Sequence, residues 1–501
     1  MSRCSIAAFS LGAALCSPAL ASAEVRAADV WENWQAMSAF SGQELSARSE
    51  VMMGDTLVLE GITGQSTLPE GEFSYSLDWV RMRETGDGAV EVTWAPEQVL
   101  SGRVTAEPGE EIAFDATLAS SGMTWRVSGA PERLVQDIAI DELALTRLDI
   151  AVNGEPMPFE IDFAATGLAG SYVSEPREGD AIWTSGDLTG EGFSFAMTGT
   201  DPESGADIEA QGTGADLAAT YGGTIMPLPA DGNPFASGMD FEFDMTFGET
   251  RTVVAGVEDE AQMRMETTTE GGSFGFAMSP ERLRYEGAGR GLAYSMEAED
   301  LPFPISAAIG ESAFRLVMPI ARTEEPEDFE LMVALRDAML DETIWNLFDP
   351  SSTLERGPLN LVVDLAGKGR WLVDVLASPE ALESLEGEAG ELDSLSLREF
   401  ELSAAGARVT GTGDFTFDNE KTEMFEGFPQ PEGAVDLRIA GAMTLIDKLT
   451  QMGLVPQEEA MTTRMMLAMF AVPVEGEEDT MTSRFEIGED GVPVVNGVPL
   501  Q

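Results

Sequence analysis

The chain has 501 residues, 89 of them acidic and 28 basic, for a formal net charge of −61; it has no histidine and only two cysteines. Without histidine there is no Ser-His-Asp triad, no Cys-His dyad and no imidazole metal site, and so large a negative charge repels nucleic acid and anionic membrane surfaces. A hydrophobic fraction of 43% still supplies apolar surface for a large core, unlike the composition of disordered acidic chains.

The first residues read as an export signal. Arg3 gives a positive start, Ile6 to Leu15 an apolar stretch too short to span a bilayer, and Ala21-Ser22-Ala23 a small-residue cleavage site. Cleavage after Ala23 would release a mature chain starting at Glu24 into the periplasm. Cys4 and Cys16 both fall inside the signal, so the mature chain would carry no disulfide, thiolate metal site or cysteine nucleophile. Leu15 is not the small residue that a lipoprotein signal places before its cysteine. No later stretch has the uncharged apolar run of a transmembrane anchor.

Asp29 to Phe40 predicts a short helix, with Asp29 as cap and Val30, Trp34 and Met37 on one face. Trp31 and Trp34 are expected to dock it on the body. From there to Ile320 the period is two: Phe73-Tyr75-Leu77-Trp79, Ile112-Phe114-Ala116-Leu118, Phe159-Ile161-Phe163 and Phe241-Phe243-Met245-Phe247. The residues between are mostly polar, as in antiparallel sheets with one wet face. Asp87-Gly88, Asn153-Gly154 and Asp231-Gly232 are turn signals. Pro131 to Leu134 and Pro280 to Leu283 read as single helical turns. Phe193 to Met197 recurs as Phe274 to Met278, each followed by a glycine- and alanine-rich stretch that reads as a strand pair. Two copies are too few for a solenoid.

Asp328 to Leu365 predicts strand, short helix, strand. Asp341 caps the helix, Ile344, Trp345 and Phe348 gather on it, and Pro350 ends it at Asp349. Arg370 to Leu376 suggests a further strand and Ser378 to Leu385 a helix, followed by a Gly387 to Gly390 linker. Beyond lie strands near Leu395 to Leu402, Val409 to Phe417 and Val435 to Ile439. Thr444 to Asp447 reads as a capping box, and Pro456 opens a helix carrying Met461, Met465, Met466 and Met469.

The stretch from Ile344 to Gly367, the VWENWQAM opening and the ending FEIGEDGVPVVNGVPL together resemble an uncharacterised exported family of marine alphaproteobacteria, domain-of-unknown-function family 2125. The resemblance covers nearly the whole mature chain; the family has no established activity, so it implies no catalytic residue. The close from Gly491 to Gly497 also faintly resembles the tail of AsmA-like envelope proteins, whose long β-grooves are thought to handle lipid.

The expectation is a mainly β fold: long twisted antiparallel sheet with short helices and an α+β C-terminal part. It divides into a signal at 1–23, a strand-rich region at 24–327, a strand-helix-strand junction at 328–386 and the C-terminal part at 387–501. An outer-membrane barrel is set aside, because the alternating stretches read as short and helices interrupt the last third. No catalytic, cofactor or metal residue is assigned: there is no phosphate-binding loop, and neither Lys368, Lys421 nor Lys448 reads as a buried base. With 89 acids, any carboxylate pair chosen for hydrolysis would be arbitrary. The reading is a non-enzymatic envelope protein that holds an apolar or lipid-like molecule in a β-groove. The alternatives are an adaptor that meets another envelope protein through a sheet edge, or a carboxylate-based hydrolase. Met461, Met465, Met466 and Met469 are the candidate ligand-binding residues, because methionine adapts to variable apolar ligands; packing against a sheet is the commoner fate of such a stripe.

Overall fold

The computed structural model describes residues 24–40, 42–68, 71–107, 110–201, 205–226, 238–258, 261–299, 301–373, 389–422, 425 and 427–500. The expected signal with both cysteines, the Asp231-Gly232 turn and the Ser378 to Leu385 helix lie outside these residues.

Helix α1 (Ala27–Phe40) leads into β1 (Gln43–Met53), β2 (Thr56–Leu68) and β3 (Gly71–Glu84). Beyond β3 the sheet divides into two lanes. In one, β4 (Val90–Trp94) pairs with β7 (Thr124–Ala130); in the other, β5 (Glu97–Glu107) pairs with β6 (Glu110–Ser121). Both lanes rejoin at β8 (Arg133–Val152). After the short β9 (Glu155–Pro156) come β10 (Phe159–Pro176), β11 (Ile182–Thr200) and β12 (Asp207–Ile225). The sheet divides again into β13 (Asp240–Phe247) with β16 (Gly271–Met278), and β14 (Thr250–Glu258) with β15 (Ala261–Thr269), rejoining at β17 (Arg282–Ala298). From there strands pair in chain order: β18 (Ile305–Pro319), β19 (Glu327–Leu340), β20 (Leu359–Trp371), β21 (Gly390–Ala404), β22 (Ala407–Asp418) and β23 (Gln430–Ala440). β24 (Val472–Pro473), β25 (Thr480–Ile487), β26 (Pro493–Val495) and β27 (Val498–Pro499) finish the sheet. Helix α2 (Glu342–Phe348) links β19 to β20; α3 (Ala442–Gln451) and α4 (Gln457–Phe470) follow β23. The ladder runs on through residues 328 and 390 without a break in pairing.

A single crease crosses this sheet. Gly61, Gly122, Gly167, Asp216, Gly291 and Asp337 all have φ between 52° and 62°, and the registers set them in one row across the strands. A left-handed residue cannot continue the pleat. The alternation therefore slips by one there: Leu59 and Ile62 of β2, and Leu77 and Val80 of β3, share one buried cluster although three apart. Acidic side chains lie over the creased glycines, Glu191 over Gly167 and Glu270 over Gly291, in the space a Cβ would need. The ends of β13 and β14, and of β15 and β16, meet on this same row, so the divided lanes are places where the crease breaks the chain's pairing outright.

The first strands curl around α1. Trp31 Nε1 donates to Glu50 Oε1 of β1 at 3.0 Å, and Asn33 Nδ2 donates to Ser174 Oγ of β10 at 3.3 Å. Gln35 Nε2 donates to the Leu45 carbonyl of β1 at 3.3 Å, and Trp34 Nε1 to Gln136 Oε1 of β8 at 3.4 Å. With strands about 4.8 Å apart, β1 and β10 would stand roughly 29 Å apart in a flat sheet. Neighbouring residues of one helix reach both only because the sheet rolls up around it, apolar face inward. The buried cluster of Val30, Trp31, Leu59, Val80, Met82, Val90, Val127 and Leu134 fills this roll.

Several local expectations are corrected. Pro131-Glu132 and Pro280-Glu281 sit in tight links between antiparallel strands, not helical turns. The stretches read as strand pairs are single long strands, β12 and β17, each bent at its crease residue. Of the strand expected from Arg370 to Leu376, Arg370 and Trp371 instead close β20, and residues 374–376 lie outside the described residues. The first amides of α3 are capped from afar: Met443 N and Thr444 N donate to the Asp479 carboxylate at 3.1 and 2.8 Å. Strand length no longer argues against a barrel, since β8 has 20 residues and β11 and β12 have 19 each. Among the described residues the sheet stays open, because β1 pairs only with β2 and β27 only with β26.

At α2, Asp341 Oδ1 accepts from Thr343 N at 2.8 Å as expected of the cap. Trp345 is buried and stacks at 5.2 Å on Phe348, which is itself 39% exposed, so the indole alone carries the inward face. The Asp349 carboxylate accepts from Thr353 N and Leu354 N at 2.9 and 2.8 Å, and Arg356 Nη2 donates to the Asp349 carbonyl at 2.6 Å. These bonds fix the turn that Pro350 begins.

Candidate functional site

One apolar surface runs from the interior of the roll along the rest of the sheet. In register, Val90, Val127, Gln136, Tyr172, Gly186, Tyr221, Phe243, Phe276, Tyr285, Leu316, Leu331, Leu365, Leu397, Gly413, Val435 and Phe485 follow one another across the strands. A parallel row runs Met245, Phe274, Gly287, Phe314, Val333, Val363, Phe400, Gly411 and Leu437. Directly paired residues share a face, so both rows lie on the face that closes around α1. Rings cover glycines of the neighbouring strand: Phe193 and Phe195 lie over Gly214 and Gly212, beyond the crease, and Phe314 lies over Gly287 of the second row.

Inside the roll this face is buried; beyond it the face is open. Phe241, Tyr285, Leu331, Val333, Leu361 and Leu402 are 37–48% exposed. Six such side chains leave roughly 400 Å² of apolar surface in water, the size of the largest apolar patch on a typical monomer, which is often functional. The other face is charged. Arg284 bridges Asp244 and Glu286, Arg315 reaches Glu286, Arg398 reaches Glu330, and Arg484 bridges Asp436 and Glu486. Exposed pairs of this kind add little stability; their effect is to mark which face belongs to water.

Polar groups on the apolar face gather where the roll ends. Gln136 is fully buried; its Oε1 accepts from the indoles of Trp34 and Trp125, and its Nε2 has no partner among the described residues. The two indole donors fix which end of the amide is oxygen. Burial pushes the Tyr172 phenol far above its usual range, with Tyr221 adding to the rise, and burial also raises Tyr221 against a hydrogen bond with Thr184. The nearby Asp187 charge adds to the rise of Tyr221; both phenols stay neutral across physiological pH and offer hydrogen bonds.

The candidate methionines stand apart from this surface. Met461, Met465, Met466 and Met469 are 48–65% exposed on α4, while Ala460 is its buried residue. They pack into no core, and they share no row with the sheet. The surface that the sequence did not single out was visible only as separate alternating stretches; the registers that line them up are not written in any one stretch. The three lysines are paired with carboxylates: Lys368 with Asp328, Lys421 with Asp418 and Lys448 with Glu355, at 3.6, 2.9 and 3.8 Å. The hydrogen bond to Asp418 raises the Lys421 ammonium above its usual range, the opposite of what a lysine base requires. Among the described residues no group of three or more acids could hold a metal ion, and no helix is long and apolar enough to cross a membrane.

A family model described as uncharacterized protein conserved in bacteria (DUF2125) matches residues 149–500. The chain belongs to this family. The match begins within β8 and takes in the open part of the sheet with α2, α3 and α4. No curated protein and no solved structure matches the chain.

Proposed function

We propose that the protein is a non-enzymatic protein of the periplasm that holds an apolar, lipid-like molecule against the open part of its sheet. The observation that carries this reading is the half-exposed row from Phe243 to Phe485, continuous with the core of the roll and backed by a face crossed by ion pairs. A sheet that exposed both faces merely to water would not need rings and leucines on one of them. The faint likeness of the tail to AsmA-like proteins points the same way, and the three-part start of the sequence supports export.

Mass spectrometry of material extracted from the protein, purified from its native envelope, tests the reading. A bound lipid-like species is expected, and Val333→Asp, which puts a charge into the exposed row, should deplete it at least tenfold. Protein that carries no such species, and binds no acyl probe after purification, overturns the proposal. N-terminal sequencing of the exported protein should give Glu24; an intact Met1 would remove the periplasmic part of the reading.

One observation favours a second reading, an adaptor that accepts a partner's strand. Among the described residues β1 has a neighbour on one side only, and its end carries Val51, Met52 and Met53 at 43–62% exposure. Such an edge invites strand addition.

A further inference from the structure

Between α1 and the turn joining β10 to β11 lies a cavity of about 590 Å³, within the range of small-ligand sites. Its apolar walls are Ala36 and Ala39 of α1, Pro131, the sheet residues Pro176 and Ile182, and Ala181 of the link between those two. Ile182 stands opposite Pro176 and Ile225 in register. Two residues on, Thr184 begins the row that passes through Gly223 and Phe241 to Met278. The cavity therefore sits under α1 on the same sheet face whose next row reaches the half-exposed Phe241. The flank of α1 away from the cavity is tied to β1 by the Gln35 bond.

The charges at the mouth decide which end of a lipid enters. Asp29 and Glu32 line it from α1. Arg177 is already paired with Glu175 at 2.8 Å and lies 5.8 Å from the Trp183 ring centre. Glu175 is shared with Arg133 at 2.6 Å, so the Asp29, Glu32 and Glu175 carboxylates outnumber the Arg133 and Arg177 guanidiniums by one, and the mouth disfavours a phosphate or carboxylate headgroup. We infer that the cavity seats the hydrocarbon end of an acyl chain whose remainder lies along the apolar face, so that α1 is the end-stop of the binding surface. This rests on the apolar-ligand reading above.

The test uses the full-length protein and a neutral monoacylglycerol with an 18-carbon chain. Ala36→Trp fills the cavity from an exposed position of α1 and should weaken binding at least tenfold; Ala39→Leu serves as the second variant if the first does not fold. Unchanged affinity in a folded variant overturns the end-stop while leaving the open face as a binding surface. Direction is read from tryptophan fluorescence, because six of the eight tryptophans lie before residue 200. A quencher at the methyl end of the chain should quench more strongly than one beside the glycerol; the reverse order overturns the proposed orientation. Wild-type protein that binds no acyl probe overturns the apolar-ligand reading and this seat with it.

Discussion

The roll at the N-terminus and the open ladder that follows use the same sheet, the same crease and the same apolar face, yet they spend it differently. In the roll, α1 covers the face: Leu59, Val80, Met82 and Leu134 are almost wholly buried, and Trp34 packs on Trp125 at 4.7 Å, which in turn meets Trp94 edge-on at 5.1 Å. In the ladder, equivalent positions hold Tyr285, Leu331 and Val333, each about two-fifths exposed. Covering stabilises a protein; leaving a face open keeps it available for something else. The family match falls on the open part.

Substitutions can break this comparison, beginning with the largest expected effect. Trp345→Ala should cost roughly 3–5 kcal/mol, as loss of a buried large aromatic does, because α2 and its turn give the ladder a local anchor. A denaturation midpoint equal to the parent's would show that α2 is only a surface knob. Leu59→Ala in the roll should cost roughly 2–5 kcal/mol, whereas Leu402→Ala in the ladder should stay within about 0.5 kcal/mol in ligand-free protein. Equal losses would mean the ladder's face is covered in solution.

Gly291→Ala tests the crease. The residue has φ 60°, and the Glu270 side chain occupies the space of the new Cβ. A cost of about 1–2 kcal/mol is expected from the left-handed backbone, read as a lower melting temperature.

The smallest effect concerns pH. Asp349 is held below the usual carboxylate range: burial alone would raise it, but the amide donors of Thr353 and Leu354, with the Lys448 charge, outweigh that. A depressed folded value means that the stabilisation is present above the ordinary aspartate range and is lost as pH falls through the folded value. Trp345 fluorescence should therefore report loosening of α2 on acidification below about pH 4. Asp349→Asn should make that change shallower; an identical acid profile in the variant would remove Asp349 as its cause.

Much of this architecture was legible in the chain. Phe241 to Phe247 alternates because it is a half-wet strand, and Asp341 caps α2 because its carboxylate reaches Thr343 N. The helix at Asp29 was recognised by Val30 and Trp34, which do face the roll. The crease was not legible, for a physical reason. A residue such as Asp216 or Gly291 carries the same glycine-rich, left-handed signature as a hairpin turn, so one bent strand reads as two short ones. In β3, Trp79 seemed to continue the series from Phe73, but the slip at Asp78 hands the inner face to Val80 instead. The methionines of α4 show a different limit. Composition shows that a helix face is apolar, and nothing in Met461 or Met465 tells whether another element covers it. The continuous apolar surface itself depends on the register of each strand against the next, information that only the folded sheet contains.

Pairing almost wholly between neighbours in sequence has a consequence for how the molecule comes apart. When each strand rests on the ones before and after it, stability is close to a sum of nearest-neighbour terms, as in repeat proteins. Such a chain need not unfold all at once. Amide exchange should be slowest in β2, β3 and β8, where α1 adds a second layer, and should quicken by stages toward β25. The protein would then behave as a zipper with one fastened end, able to loosen strand by strand without losing the rest.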